Sequence, residues 1–274
     1  MNLIATAMNR LCDLLVAPFG GSAAWAVTVL SVVAGVGLLA LFKVTTPQAR
    51  LRDVRARLFG HVYELGLFQE SLVVMLRIQR DLAAANLRSL ALTLPALAAM
   101  IVPLALVLPQ FEARFAHRPL RPGEAVVVTA MLAPGHASLL DRLRLTGDDG
   151  VTVETLPVRD RQAATAQWRV RVRTSGHHEL TVHADGGPSW TKRLEAGGGL
   201  PALATVRERG GLRAWLLSPA EPPLPRDAAL AALALDLPAR ATRYAGVRLS
   251  WLAAFCLFSL AAGLAARPLL RVEI

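Results

Sequence analysis

The sequence predicts an α-helical membrane protein, with three transmembrane helices and a cytoplasmic helical hairpin, that also carries a small all-β domain. Three observations carry that prediction. Ala23–Phe42 and Ser89–Leu108 are uncharged twenty-residue stretches, and Ser250–Ala266 is a third apolar run; a helix needs roughly 20 apolar residues to cross a ~30 Å hydrocarbon core. Lys43–Arg88, between the first two, holds eight basic and four acidic residues. Beyond Arg121 the apolar residues recur at every second position, the period of a strand.

Composition agrees with this division. The chain has 274 residues, 54% of them hydrophobic and 18% charged, and a mean hydropathy of +0.42. An ordinary globular domain has about 25% charged residues. The net charge of +10 comes almost wholly from arginine, since Lys43 and Lys192 are the only lysines. A basic balance can mark a nucleic-acid partner, but here the arginines flank the spans, where they set topology and meet anionic headgroups. Membrane lipids are therefore the expected partner, with no specific nucleic acid. Cys12 precedes the first span and Cys256 lies inside the third, so the β domain has no disulfide framework or cysteine metal site.

Taken in order, residues 1–22 read as an amphipathic interfacial helix. Leu3, Ile4, Ala7, Met8, Leu11, Leu14 and Leu15 share a face, and Pro18, Gly20 and Gly21 end it. A signal peptide would need a basic n-region and a small-residue cleavage site, so an uncleaved N-terminus is expected. Residues 23–42 form the first span. The hairpin, 43–88, opens with Thr46-Pro47 as N-cap and first helical residue. Leu51, Val54, Leu58 and Val62 follow at helical spacing, with Arg50, Arg52, Arg55 and Arg57 elsewhere on the surface. Leu65-Gly66-Leu67 is the expected turn. A second helix from about Gln69, through Leu72, Met75 and Leu76, meets no breaker before the second span, 89–109, and should run into it. Pro95 and Pro103 are tolerated there because neighbouring groups re-satisfy the freed carbonyls.

Residues 110–247 form the β domain and its linker. Val126–Thr129, Val151–Thr155 and Gln167–Thr174 read as strands, and the clearest hairpin joins Gln167–Thr174 to His178–Ala184 through Ser175-Gly176-His177. Trp168, Val170 and Val172 face one way and Arg169, Arg171 and Arg173 the other. Short alternating strands with glycine-rich turns predict an immunoglobulin-like sandwich. Ser218–Arg226 is a linker or an extended edge, and Ala228–Leu237 is a short helix or another strand. The third span occupies 248–266 and a cytoplasmic tail 267–274.

Arginine and lysine in short loops mark the cytoplasmic side. Lys43, Arg50, Arg52, Arg55, Arg57, Arg77, Arg80, Arg88, Arg267 and Arg271 lie on the hairpin side; Arg10, Arg114, Arg118, Arg121, Arg240, Arg243 and Arg248 lie on the other. The N-terminus and β domain are accordingly expected outside, with the hairpin and C-terminus in the cytoplasm. The expected home is a bacterial inner membrane.

The sequence has no catalytic signature. His178 and His183, five apart, face opposite sides of a strand, and the histidines are expected to be solvated surface residues rather than metal ligands. Asp148-Asp149-Gly150 is expected to be a turn. No phosphate-cradling loop, GxSxG or HExxH occurs, so neither enzyme activity nor a cofactor or metal is expected.

The order of parts resembles the YidC/Oxa superfamily of membrane insertases, in particular its three-span branch, which includes archaeal YidC-like proteins and the insertase subunit of the ER membrane complex. Residues Met1–Leu108 and Ser250–Ile274 carry the resemblance, and the β domain would be an insertion between the second and third spans. The resemblance implies a protein that moves short hydrophobic segments from cytoplasm to bilayer through a polar groove. Lys43, Arg88 and Arg267 would stand at its rim, with Thr28, Ser31, Thr93 and Ser259 along its wall. Arg50, Arg52, Arg55, Arg57, Leu76, Arg77 and Arg80 on the hairpin would receive nascent membrane proteins or the ribosome. The rival expectation is a non-catalytic scaffold or adaptor in a complex with other membrane proteins, its outer domain binding a partner. Facing hydroxyls along a groove would favour the insertase; close packing through Gly35, Gly37 and Gly263 would favour the adaptor.

Overall fold

The computed structural model describes residues 2–67, 72–211, 214 and 219–272. It divides into two compact units, residues 1–27 with 106–253, and residues 28–105 with 254–274.

In the helical unit, helix α2 (Ala23–Thr45) is apolar from end to end until Lys43. Its 23 residues rise about 34 Å, enough to cross a bilayer. Helix α3 (Gln48–Leu67) follows after Thr46-Pro47, and α4 (Leu72–Phe115) is one helix of 44 residues. The predicted continuation of the helix through Leu72, Met75 and Leu76 into Ser89–Leu108 without a break is thus found. The expected turn at Leu65-Gly66-Leu67 is instead helical, because an interior glycine costs a helix only about 1 kcal/mol; the expected start of the second helix at about Gln69 lies outside the described residues. The final helix, α5 (Trp251–Leu270), begins one residue inside the apolar run. Three helices, within Ala23–Thr45, Leu76–Phe115 and Trp251–Leu270, are long and apolar enough to cross a membrane.

In the other unit, α1 (Asn2–Val16) packs Val16 inward and leaves Leu11, Leu14 and Leu15 exposed. The β strands are β1 (Ala125–Leu132), β2 (Leu143–Gly147), β3 (Val151–Val153), β4 (Val158–Asp160), β5 (Thr165–Val172), β6 (Gly176–Ala184), β7 (Ser189–Ala196), β8 (Val206–Glu208), β9 (Leu230–Leu235), β10 (Thr242–Tyr244) and β11 (Val247–Leu249). One antiparallel sheet has the order β3-β5-β1-β9-β8, with β4 beside β5; a second has the order β2-β6-β7; β10 and β11 form a separate ribbon. Val247–Leu249, expected partly within the third span, is therefore the last strand before α5.

The two larger sheets share one core. Val128, Trp168, Val170 and Leu233 of the first meet Leu143, Leu180, Val182 and Leu194 of the second. The predicted inward face of Gln167–Thr174 is correct, but its predicted partner is not. β5 pairs with β1, β3 and β4, while β6 pairs with β2 and β7. The link at Thr174-Ser175 crosses between sheets instead of closing a hairpin. Alternation fixes which side of a strand is buried but not its neighbour: Trp168 and Val182 can share a core across a sheet or between two. Ala228–Leu237 resolves as a strand. Leu224 bridges to Arg209, so the Pro-rich run is an extended edge where it is described.

His178 corrects the expectation of solvated histidines. It is 8% exposed, with Nδ1 3.0 Å from Asp148 Oδ1 and Nε2 2.9 Å from the Thr174 carbonyl. Asp148-Asp149-Gly150 is the expected turn, and it too links one sheet to the other. A Cβ on Gly150 would sit 2.1 Å from the His178 ring, so the close approach requires glycine. Burial works against ionisation of Asp148, but the Glu179 N–H, the His178 ring and the Gly150 N–H outweigh it and hold the carboxyl below its ordinary range. A depressed folded pKa adds stability above the unfolded value, ~4, that is lost as pH falls through the folded one. The thermal stability of the wild-type chain is therefore expected to fall below about pH 4 more steeply than that of Asp148→Asn.

Candidate functional site

The β domain is joined to the domain-side ends of the helices by a dense set of polar contacts, and this collar is the most constructed site in its unit. Arg114, on the last turn of α4, is 1% exposed. Its Nη1 donates to Gln110 Oε1 at 2.6 Å, and its Nη2 to Asp13 Oδ1 of α1 at 2.6 Å and to the Asn9 carbonyl at 3.2 Å. A planar guanidinium suits this use, because its fixed fork satisfies several acceptors at once. Asn9 in turn donates to the Pro219 carbonyl at 2.7 Å. The Leu203 N–H donates to Ala113 O, the Arg240 N–H to Ala116 O and the Arg118 N–H to Pro238 O. The Ala113 carbonyl, in the last turn of α4, would otherwise lack a partner.

Aromatic groups complete the collar. Phe111 stacks edge-on to Phe115, with centroids 5.3 Å apart, and lies 6.4 Å from Trp251 at the start of α5. Tyr244 Oη donates to the carbonyl of Ala24, in the first turn of α2, at 3.4 Å. Trp25, in the first turn of α2, is two-thirds exposed. Arg118 clamps Glu124 through both carboxylate oxygens, and this with the Arg121 N–H holds Glu124 at a pKa of about 2.

The collar yields a direct prediction. Cys12 is half-buried on α1, and burial, opposed by Arg114, pushes its thiol up. Asp13→Asn removes the charge that pairs with Arg114, which leaves a buried cation less well compensated. In a Cys256→Ser background, maleimide labelling of Cys12 is expected to quicken several-fold as α1 loosens.

A second buried ion pair holds the edge of the smaller sheet. Lys192 Nζ lies 2.5 Å from Glu221 Oε2 and donates to the Ala204 carbonyl at 2.7 Å; Glu221 Oε1 accepts the Arg193 N–H at 3.0 Å. Burial lowers the Lys192 pKa, with Glu221 opposing. Arg207 donates to the Thr191 carbonyl. The free edge of β7 is thus covered by side chains, which blunts pairing with another strand. Beside it lies an open cleft of about 660 Å³ lined by Trp190, Arg207, Leu224 and Pro225.

In the helical unit two of the predicted groove hydroxyls serve their own helices. Thr93 Oγ1 donates to Leu90 O at 3.0 Å and Ser259 Oγ to Cys256 O at 3.3 Å, each within its own helix. Ser31 is fully buried with no partner for its hydroxyl among the described residues, and Thr28 is half-buried one turn before it. Gly35 is the close point: a Cβ there would lie 2.2 Å from the Ser259 carbonyl oxygen, and Gly263 lies 3.8 Å from the Gly35 carbonyl by the same construction. Gly37 has nothing within 4 Å.

Lys43 and Arg88 are exposed, and Arg267 turns its Nε to the Val272 carbonyl at 3.3 Å, closing the end of its own helix. Arg50, Arg52 and Arg77 are exposed, Leu76 is 63% exposed, and Arg80 pairs with neighbouring Asp81 at 3.0 Å. The side chains of Arg55 and Arg57 lie outside those described. The sequence marks Arg114 only as a topology residue and Lys192 only as one of two lysines. Strand parity could have found Lys192, since it falls on the inward face between Trp190 and Leu194.

Fold and site define a chain with three helices long and apolar enough to cross a membrane and a two-sheet β domain hydrogen-bonded to helix ends. No family model, curated protein or solved structure matches it.

Proposed function

We propose that this protein is a non-catalytic adaptor of a bacterial inner membrane. It spans the bilayer three times, with its immunoglobulin-like domain outside and its helical hairpin in the cytoplasm. The observation that carries the reading is the close crossing of α2 and α5 at Gly35, while the hydroxyls of Thr93 and Ser259 bond within their own helices. Without lipid–water contrast between helices, small residues that let backbones approach are what pairs them. The collar then couples the outer domain to the helix ends, and the cleft beside Trp190 offers a partner an apolar floor with Arg207 at its side.

The second reading is an insertase similar to the YidC/Oxa superfamily. It is favoured by the order of elements and by the exposed Arg50, Arg52, Arg77 and Leu76 on the hairpin. Reconstitution separates the two. Full-length protein in liposomes is presented with a short single-span protein made by translation in vitro. The adaptor reading predicts the same protease-protected fraction as empty liposomes; a several-fold rise that needs the hairpin arginines would establish the insertase.

A further inference from the structure

The ribbon β10–β11 places Arg243 directly opposite Arg248, between the pairs Thr242↔Leu249 and Tyr244↔Val247. Residues directly opposite on an antiparallel ribbon have Cβ atoms about 5 Å apart, and like charges there destabilise it. Both arginines are exposed, and among the described residues neither has an acidic partner. The ribbon can ill tolerate this. It has three residue pairs and joins neither of the larger sheets, and an isolated two-stranded ribbon is marginal in water. Its two-residue turn also holds Ala245 at φ 47° beside Gly246 at φ 88°, a conformation that disfavours alanine.

The position of the ribbon supplies the missing charge. Tyr244 Oη bonds the carbonyl of Ala24, in the first turn of α2, and Leu249 is two residues before Trp251, where α5 begins. The ribbon therefore stands where two apolar helices start. Thr242 is buried on the opposite face of its strand, so Arg243 and Arg248 share the outward face. Two guanidinium forks side by side suit a phosphate oxyanion, which each can bind bidentately.

From this juxtaposition we infer that Arg243 and Arg248 form a clamp for the phosphodiester of an anionic phospholipid headgroup. The inference rests on the reading that α2 and α5 span a bilayer. Bound lipid removes the repulsion between the two arginines, so the ribbon that links the β domain to α5 is fully stable only at an anionic surface.

The test uses the full chain in neutral detergent, with thermal unfolding followed by tryptophan fluorescence. Short-chain phosphatidylglycerol, short-chain phosphatidylcholine and inorganic phosphate are titrated separately. Wild type is expected to respond to phosphatidylglycerol at concentrations at least roughly tenfold below either other probe. Arg243→Gln and Arg248→Gln each lose this preference, yet unfold at a higher temperature than wild type without lipid because the repulsion is gone. Equal responses to both lipids, or variants that keep the preference, would overturn the clamp. So would a response to inorganic phosphate at the same concentration, which would mean free phosphate is the ligand. Carbonate extraction of cell membranes keeps the two readings apart. Release of the wild-type chain would defeat the spanning reading itself, whereas retention without lipid preference would defeat the clamp alone.

Discussion

Glu221→Gln is expected to destabilise the β domain by about 3–5 kcal/mol, because it leaves the Lys192 ammonium buried without its anion. Lys192 is fully buried and Glu221 is 5% exposed, so water cannot replace the carboxylate. Glutamine can still accept the Arg193 N–H, which confines the loss to the charge. Trp168 and Trp190 both lie in the core, and urea unfolding read by their fluorescence measures the effect. Lys192→Met combined with Glu221→Gln should recover much of the stability, since removing both charges is far less costly than removing one. A single variant within about 0.5 kcal/mol of wild type would show that the pair does not hold the β7 edge.

Gly35→Ala is the second large effect. The new Cβ would meet the Ser259 carbonyl oxygen at 2.2 Å and two further backbone atoms at 2.8 Å. No side-chain rotation relieves a clash with backbone, so α2 and α5 must separate. Overpacking of this kind costs about 1–3 kcal/mol. Denaturation of the full chain by sodium dodecyl sulfate in mixed micelles is expected to shift to lower detergent fraction. Gly37→Ala provides the contrast, because nothing lies within 4 Å of its Cβ, and there the better helix former should be neutral or mildly stabilising. Ser259→Ala should also be tolerated, since the contact is to the Ser259 backbone and its hydroxyl serves its own helix.

The helices were legible because their signals are local. Twenty uncharged residues, Thr46-Pro47 as a helix start, and the absence of a breaker between Leu72 and the second span each sit within a short window. The buried faces of the strands were equally legible: Trp168, Val170 and Val172 point into the core as alternation requires. Strand pairing was not, because β5 and β6 are adjacent in sequence yet lie in different sheets, and only long-range packing decides that. The collar was hidden for the same reason. Arg114 and Asp13 are 101 positions apart, and their ion pair exists only once α1 packs beside the end of α4. Thr28, Ser31, Thr93 and Ser259 are polar residues within the apolar runs, a property that says nothing of where each hydroxyl turns. Thr93 and Ser259 turn to carbonyls of their own helices.

The adaptor reading is tested most directly by site-specific photocrosslinking in living cells, with probes at Thr93 in the second span and Leu76 on the hairpin, and with ribosome-bound nascent chains captured alongside. The account predicts crosslinks to lipid and to one stable partner protein, the same from cell to cell and independent of translation. Crosslinks from both positions to short nascent membrane segments, lost when translation stops, would contradict it and make the chain an insertase.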